Sequence, residues 1–402
     1  MRPFRFLITK AEAIEIIRRS IKPIERVESI PLEDSSGRIL AEDMIAGFNV
    51  PPFNRSAMDG YALKAQDTYG ASSFSPKRLR LIGVEQAGEC FEVGVDSGEC
   101  IQVATGSPIP KGADAVVMVE DTRKVDDYVE VYHPVYPGAN ISLEGEDIKK
   151  GETIIRRGEQ LSPGRIGAIA ALGIPKIKVY AKPTISIVST GSEVKPLGAH
   201  LNQGEIYDIN SYTLAAIVSS NGCTPKNRGI IPDDREAIRE ALRESAESDG
   251  ILISGGSSVG VRDLIYDAVK ELGELKFHGV HVKPGKPTLF GLVEGKPVFG
   301  MPGNPTSCLS NAYVFLIPAL RGIARLPEAK PRIVKARMGS RVVAASGREQ
   351  ILTVRIEEGV AYPVFKKSGT ITSMTNAGGY MIIPTNIDTI EEGEEVEVTL
   401  LE

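Results

Sequence analysis

Three short, continuous apolar runs in the middle of the chain each close in a turn of small residues. Thr184–Val188 runs into Ser189-Thr190-Gly191-Ser192-Glu193. Ile251–Ser254 runs into Gly255-Gly256-Ser257-Ser258-Val259-Gly260, and Pro297–Gly300 into Met301-Pro302-Gly303-Asn304-Pro305-Thr306-Ser307. A helical pattern follows each turn. Continuously apolar runs alternating with helices predict parallel strands covered on both faces, and such sheets bind ligands beyond the carboxyl ends of their strands. The three turns are therefore expected to converge on one crevice.

Outside this region the pattern changes character. Thr9-Lys10-Ala11-Glu12 has capping-box spacing, and Ala13, Ile14, Ile17 and Ile21 recur at helical intervals, predicting an amphipathic first helix. Between Arg78 and Tyr136 the runs Leu79–Val84, Cys100–Ala104, Ala115–Val119 and Tyr128–Tyr132 alternate with turns, as in a small β domain. Ser162-Pro163 supplies N-cap and N1 preferences for a helix that Gly173 stops. The strand Lys176–Tyr180 leads into the α/β region, where the helix after Asn210 ends near Gly222 and Asp233-Asp234-Arg235-Glu236 opens the next. The helix after Ser307 is expected to run through Leu320. Beyond Pro327 alternation returns at Arg332–Met338, Ile351–Ile356, Ala361–Phe365, Met381–Pro384 and Val396–Leu401, predicting a compact terminal β domain. The fold class is multidomain α/β plus β, in an elongated molecule whose site is expected between domains or subunits.

Charge suggests what the crevice holds. Glycine turns let backbone N–H groups approach a ligand, and a helix N-terminus carries about half a positive charge, so the loop from Gly255 to Gly260 is a candidate anion seat. Lys283 and Lys286, in Lys283-Pro284-Gly285-Lys286-Pro287, add two cations on a stiff segment. Glu193, Asp233 and Asp263 fall near the same strand ends, and carboxylates beside a phosphate repel it unless a hard cation such as Mg²⁺ lies between them. An anionic substrate held through a divalent ion reconciles both signs.

Composition narrows the setting. The 402 residues suit roughly three domains of about 150 residues each. No apolar stretch reaches the about 18 residues that a membrane helix needs, and the N-terminal segment lacks the apolar core of a signal peptide. Cys90, Cys100, Cys223 and Cys308 form no CxxC pair, which suits a reducing, cytoplasmic setting. A net charge of −5 without a basic block argues against nucleic-acid binding.

Several acids keep two readings. Asp59-Gly60 follows Pro51-Pro52-Phe53-Asn54-Arg55-Ser56-Ala57-Met58, so Asp59 is either a turn residue bonding its own backbone or a site residue. Asp233, three residues before Glu236, is either a helix cap or a functional carboxylate, and Asp263 shares the ambiguity because acids suit any first helical turn. Thr105-Gly106-Ser107-Pro108, and Gly145-Glu146-Asp147-Ile148, are further turn-rich patches. His278 and His281 read as packing or surface residues in preference to a metal site.

In chain order the motifs are Pro51 through Ala62, Thr105-Gly106 with Gly112-Ala113-Asp114-Ala115-Val116-Val117, Gly145 through Ile148, Ser189 through Glu193, Ser254 through Gly260, Lys283 through Pro287, and Pro302-Gly303-Asn304-Pro305. Each alone is weak. Together they resemble the molybdopterin molybdenumtransferase family, the MoeA proteins with the E domain of gephyrin and its plant relatives. The resemblance runs from the first helix to the last strand.

This resemblance implies an enzyme of the last step of molybdenum cofactor synthesis, which inserts molybdate, or tungstate, into adenylylated molybdopterin and releases AMP with Mg²⁺ present. It implies a homodimer with the molybdopterin adenylyltransferase as a candidate partner. The implied architecture is a discontinuous N-terminal domain (1–48 and 141–179) with an inserted β domain (49–140), a MogA-like three-layer α/β/α domain (180–326) and a C-terminal β barrel (327–402). Carried over by position, Glu193, Asp233 and Asp263 would hold Mg²⁺, with Asp59 and Asp147 as further catalytic acids from the partner subunit. Thr105, Thr190, Gly191, Gly255, Gly256, Ser258, Pro302, Gly303 and Asn304 would bind substrate. Lys283, Lys286, Ser307, Arg348 and Ser373 would contact the oxyanion.

The chain departs from the family pattern twice: Ser142 follows Asn140-Ile141 where many bacterial members carry arginine, and Gly279 stands where some carry lysine. Those departures raise tungstate as an alternative oxyanion. Competing readings are a nucleotide pyrophosphatase on the same α/β domain, which the Asp59, Thr105 and Asp147 motifs oppose, and a peptide-binding scaffold, which needs no set of acids.

Overall fold

The computed structural model describes residues 7–85, 88, 93–255, 259–344, 347–364 and 371–401, with backbone alone for 259–263. Helix α1 (Lys10–Ser20) starts from a complete capping box, in which Thr9 Oγ1 accepts the Glu12 N–H at 3.2 Å and Glu12 Oε2 accepts the Thr9 N–H at 2.8 Å. Ala13 and Ile17 form its buried face. The chain separates into two compact units, one of Met1–Glu28, Gly37–Ile39 and Lys178–Glu402, the other of Ser29–Ser36 and Leu40–Ile177.

The second unit is built on β1 (Gly60–Leu63), β2 (Lys77–Glu85), β3 (Glu99–Val103), β4 (Ala115–Met118), β5 (Thr122–Val125) and β6 (Tyr128–Val131). They lie in the order β4-β1-β3-β2-β6-β5, antiparallel except for the β2–β3 pair. Every strand but β5 contributes to one apolar cluster, through side chains such as Leu79, Val129 and Val131. Helix α2 (Pro163–Ala171) has Ser162 as N-cap and proline in its first turn.

The first unit contains the α/β layer. Its strands are β7 (Thr184–Thr190), β8 (Thr224–Ile231), β9 (Gly250–Gly255), β10 (Gly273–His278), β11 (Val282–Lys283), β12 (Leu289–Val293) and β13 (Lys296–Pro302). The sheet order is β8-β7-β9-β13-β12-β10, in which β12 alone runs opposite to the rest, antiparallel to both β13 and β10. The register aligns Thr190 with Ile231 on one side and Gly255 on the other, and Gly255 with Pro302. Four parallel strands therefore end at one level. Successive residues of β7 feed different cores: Ile187 joins α1, Phe290, Phe299 and Phe315, whereas Val188 joins Ile238, Leu242, Ile253 and Val269. Helices α3 (Asn210–Ser220), α4 (Arg235–Ser245) and α5 (Val259–Leu272) connect the parallel strands.

Beyond β13 the helical run continues past Leu320 to Ile323, and it is not uniform. It consists of α6 (Pro305–Asn311), a π segment (Ala312–Leu316) and α7 (Ile317–Ile323). Pro318 in the first turn of α7 lacks an N–H, and the wider π turn precedes it.

The terminal strands β14 (Ile333–Met338), β15 (Glu349–Glu357), β16 (Val360–Pro363), β17 (Gly379–Ile383) and β18 (Glu395–Leu400) close into a five-stranded barrel, since β17 pairs with both β18 and β15. The two-residue strand β11 adds to the outside of β15 in parallel register, Lys283 opposite Gln350. Ile351 of the barrel belongs to the same apolar cluster as α1 and the α/β sheet.

Candidate functional site

A cavity of about 720 Å³ lies at the carboxyl ends of β7, β9 and β13. All three small-residue turns line it, through Ser189, Thr190 and Glu193, through Ser254 and Gly255, and through Gly303, Asn304 and Pro305. Its other wall is an apolar flap of Val194, Leu197, Leu201, Ile206 and Tyr207. That flap is held by a short parallel pair, in which the Ile206 N–H donates to the Glu193 carbonyl at 2.8 Å and the Asp208 N–H to the Lys195 carbonyl at 2.9 Å.

Gly255 is dictated by packing. A Cβ at that position would lie 2.1 Å from Thr190 Oγ1 and 2.4 Å from the Thr190 carbonyl oxygen, so only glycine lets β7 and β9 stay paired at the cavity floor. Asn210, at the start of α3, ties two turns together: its Nδ2 donates to Ser254 Oγ at 2.8 Å and to the Gly303 carbonyl at 2.9 Å. Buried Asp208 accepts the Ser211 N–H at 3.1 Å and so caps α3 from inside the cavity wall. Asp208 and Asn210 escaped the sequence reading. Their signal was an Asx pair at the head of a helix that starts on a strand-end level.

Three polar atoms at this level are buried and have no hydrogen-bond partner among the described residues: Thr190 Oγ1, Asn210 Oδ1 and Asp233 Oδ1. Folded proteins pair nearly all such atoms, so each exception is a point where water or a bound group can still make a hydrogen bond. Asp233 is not the helix cap. Asp234 is the N-cap of α4, accepting the Ala237 N–H at 2.9 Å, because it is Asp234 that takes up the extended N-cap conformation. Asp233 sits two residues past the end of β8, whose last residue Ile231 pairs with Thr190, and it does not line the cavity.

The remaining candidates of this unit fall elsewhere. Gly191 and Pro302 adjoin lining residues without lining the cavity themselves. Gly256 and Ser258 lie outside the described residues, and Asp263 is described only by its place in the first turns of α5. Lys283, Lys286, Ser307, Arg348 and Ser373 do not line the cavity, contrary to the expected single crevice for the two lysines. The reason is that β11 is drawn onto the barrel strand β15, which carries Lys283 to Gln350, two residues after Arg348. Helix α8 (Thr372–Thr375), bearing buried Ser373, lies against α6, which bears buried Ser307. Lys283 thus lies beside the barrel strand that follows Arg348, and Ser307 and Ser373 lie on two helices in contact, away from the cavity lining.

In the other unit, the loop from Asn49 to Asp59 is stitched to its neighbours. The Val50 N–H donates to the Ile148 carbonyl and the Asp147 N–H to the Val50 carbonyl, at 2.8 and 3.0 Å, while the Gly106 N–H donates to the Ser56 carbonyl at 2.8 Å. Asp59, Thr105 and Asp147 therefore border one loop, and all three are exposed. Asp59 is not an isolated turn residue: its Oδ1 accepts the Thr105 N–H at 2.6 Å and Thr105 Oγ1 at 2.8 Å, across 46 residues. The backbone bond first, then the hydroxyl, hold its carboxyl below the usual aspartate range.

Among the described residues no three His, Cys, Asp or Glu side chains gather as a metal cluster. Cys308, fully buried next to Ser254 and Asp208, has its thiol pushed up by burial to about 12, and burial raises Cys100 and Cys223 to about 12 as well. None of the three is a thiolate nucleophile at neutral pH. No helix among the described residues is long and apolar enough to cross a membrane.

Comparison with known proteins covers nearly the whole chain. The profile of the MoeA N-terminal region (domain I and II) matches residues 8–173, that of a "Probable molybdopterin binding domain" residues 186–322, and that of the MoeA C-terminal region (domain IV) residues 335–401. A molybdopterin molybdenumtransferase of Staphylococcus aureus is 31% identical over 93% of this chain and 91% of its own. Two crystal structures of molybdopterin biosynthesis MoeA proteins of Pyrococcus horikoshii superpose with TM-scores of 0.86 and 0.82. They are 39% and 35% identical, covering 99% and 98% of this chain and 100% of each of those chains.

Proposed function

The chain belongs to the MoeA family and is an enzyme, a transferase of molybdenum cofactor biosynthesis, and on that premise we propose that it inserts molybdate or tungstate into adenylylated molybdopterin with release of AMP. The observation that carries this reading is the pair of buried polar atoms, Thr190 Oγ1 and Asn210 Oδ1, that have no hydrogen-bond partner among the described residues and belong to residues lining the strand-end cavity. Such atoms can accept or donate to a bound substrate without breaking a bond within the fold.

The phosphoanhydride end of the substrate lies over Thr190, Gly191, Gly255, Gly256, Ser258, Pro302, Gly303 and Asn304, where backbone donors and small side chains permit close approach. Mg²⁺ is a hard cation that prefers oxygen ligands; Asp233 offers a carboxylate oxygen with no hydrogen bond among the described residues, and Glu193 borders the cavity. Glu193, Asp233 and Asp263 would hold the ion, which when bound supplies charge neutralisation at the phosphoanhydride. Lys283, Lys286, Ser307, Arg348 and Ser373 hold the oxyanion, with the lysines and Arg348 balancing its negative charge. In a homodimer, Asp59, Thr105 and Asp147 of the partner subunit complete the cleft.

The protein acts in the cytoplasm, and the molybdopterin adenylyltransferase is the partner whose chemistry supplies its substrate. The domains proposed are 1–48 with 141–179, 49–140, 180–326 and 327–402. The test is conversion of adenylylated molybdopterin by purified Glu193→Ala. Loss of AMP release with binding of the substrate retained supports the role of Glu193, and full conversion contradicts it.

A further inference from the structure

The loop that carries Lys283 and Lys286 is held from behind by a side chain with no role so far. Asn311, the last residue of α6, is completely buried, and its Nδ2 donates to the Gly285 carbonyl at 2.8 Å and to Thr288 Oγ1. The same carbonyl accepts Thr288 Oγ1 at 3.0 Å and the Thr288 N–H at 3.3 Å. Gly285 has a φ of 98°, and a Cβ there would lie 2.2 Å from Asn311 Nδ2, so both conformation and contact require glycine. On its other flank the loop is pinned by the pairing of Lys283 with Gln350, and the Lys286 carbonyl accepts the Val280 N–H at 2.9 Å. Both lysine backbones are thereby fixed, and the buried Asn311 side chain reaches the turn between them from α6.

A second observation points to a guest beside this clamp. Asn311 Oδ1 and the neighbouring Ser310 Oγ, with Ser373 Oγ on the helix packed against α6, lack hydrogen-bond partners among the described residues, and each residue is at least nine-tenths buried. Ser307, Ser310 and Asn311 share one helical face by their spacing.

We propose that Asn311, acting through Gly285 and Thr288, is a positioning residue for the oxyanion: it presets the Lys283–Lys286 loop so that both cations are in place before the anion arrives. This inference rests on the proposed reading of those lysines as oxyanion contacts. Without that presetting, the anion must order the two lysine side chains itself, and the cost appears in affinity.

The experiment is equilibrium dialysis of molybdate against the purified full chain, alongside AMP release at varied molybdate, for the wild type, Lys283→Ala, Asn311→Ala, Thr288→Val and Thr288→Ser. Asn311→Ala is expected to weaken molybdate binding and raise the KM for molybdate about tenfold or more. Its kcat at saturating molybdate and its KM for adenylylated molybdopterin stay within about twofold of wild type. Thr288→Val moves the same way, and Thr288→Ser, which keeps the hydroxyl, retains wild-type affinity. A merely structural role would lower kcat through loss of folded enzyme and leave the molybdate KM alone. Should Asn311→Ala fail to fold, Thr288→Val decides the matter. Wild-type molybdate affinity in a folded Asn311→Ala, or in Thr288→Val when that variant stands alone, overturns the inference. If Lys283→Ala weakens binding while Asn311→Ala does not, the inference alone fails. If neither does, or if the wild type binds no molybdate, the reading of the lysines fails with it.

Discussion

Asp59 and Asp233 have similar sequence settings, each beside a turn or a helix start, yet the two units treat them in opposite ways. Asp59 is completed by the fold: both Thr105 donors converge on one oxygen, and the carboxyl is a fixed anion. Asp233 is left incomplete, its Oδ1 buried and unpaired, in company with Thr190 Oγ1 and Asn210 Oδ1. The difference separates an acid whose oxygen the fold has paired from an acid with a buried oxygen that has no partner among the described residues. A satisfied carboxylate can orient or repel, whereas an unsatisfied buried one gains most from a cation or a donor.

The sharpest way to break that contrast is to remove the acids of the strand-end region. Asp233→Asn and Glu193→Ala are each expected to lower AMP release by roughly a hundredfold to a thousandfold, the equivalent of several kcal/mol of charge stabilisation. Single-turnover assays at saturating substrate read this directly. Near-wild-type turnover in Asp233→Asn would mean that its unpaired oxygen is incidental.

A smaller effect comes from the cavity floor. Gly255→Ala forces a methyl group against the Thr190 backbone, so overpacking should destabilise the protein by about 1–3 kcal/mol and lower its thermal unfolding midpoint. Asn210→Ala removes the link between Ser254 and Gly303 and leaves a buried acceptor unpaired, at a cost of about 1–3 kcal/mol. Hydrogen exchange at the 303–305 turn should quicken in that variant, and unchanged protection would refute the bridging role.

The smallest effect belongs to Asp59. A carboxyl held below its unfolded value adds stability that is fully present above the unfolded value and is lost as pH falls through the folded one. The Thr105 link therefore contributes at neutral pH and fades only in acid. Thr105→Val, which keeps the backbone donor and removes the hydroxyl, should raise the Asp59 titration midpoint observed by NMR. An unmoved midpoint would show that the hydroxyl bond carries no weight in solution.

The α/β layer was readable from the chain because strands buried on both faces must be continuously apolar. Thr184–Val188 and Ile251–Ser254 accordingly lie within the longer strands Thr184–Thr190 and Gly250–Gly255. The terminal strands were equally readable from alternation. Closure of the barrel was not, since the pairing of Gly379–Ile383 with two partners depends on contacts distant in sequence. Val282–Lys283 is too short to announce itself as a strand, so the departure of the two lysines from the cavity lining had no local signal. Nor could local chemistry decide which of Asp233 and Asp234 would cap α4, because both fit a capping pattern and only the extended backbone at Asp234 selects one. The Asp59–Thr105 bond spans 46 residues and lies beyond any turn rule. The Gly256 and Ser258 assignments concern residues outside those described.

The central claim, that strand-end acids and a separate lysine-bearing loop together serve metal insertion, is tested most directly by AMP release from adenylylated molybdopterin. The purified chain would be assayed with Mg²⁺ in the absence of oxyanion, with molybdate and with tungstate. The account predicts release that rises with one of the two oxyanions and is abolished in Glu193→Ala. No release under any of the three conditions would contradict it.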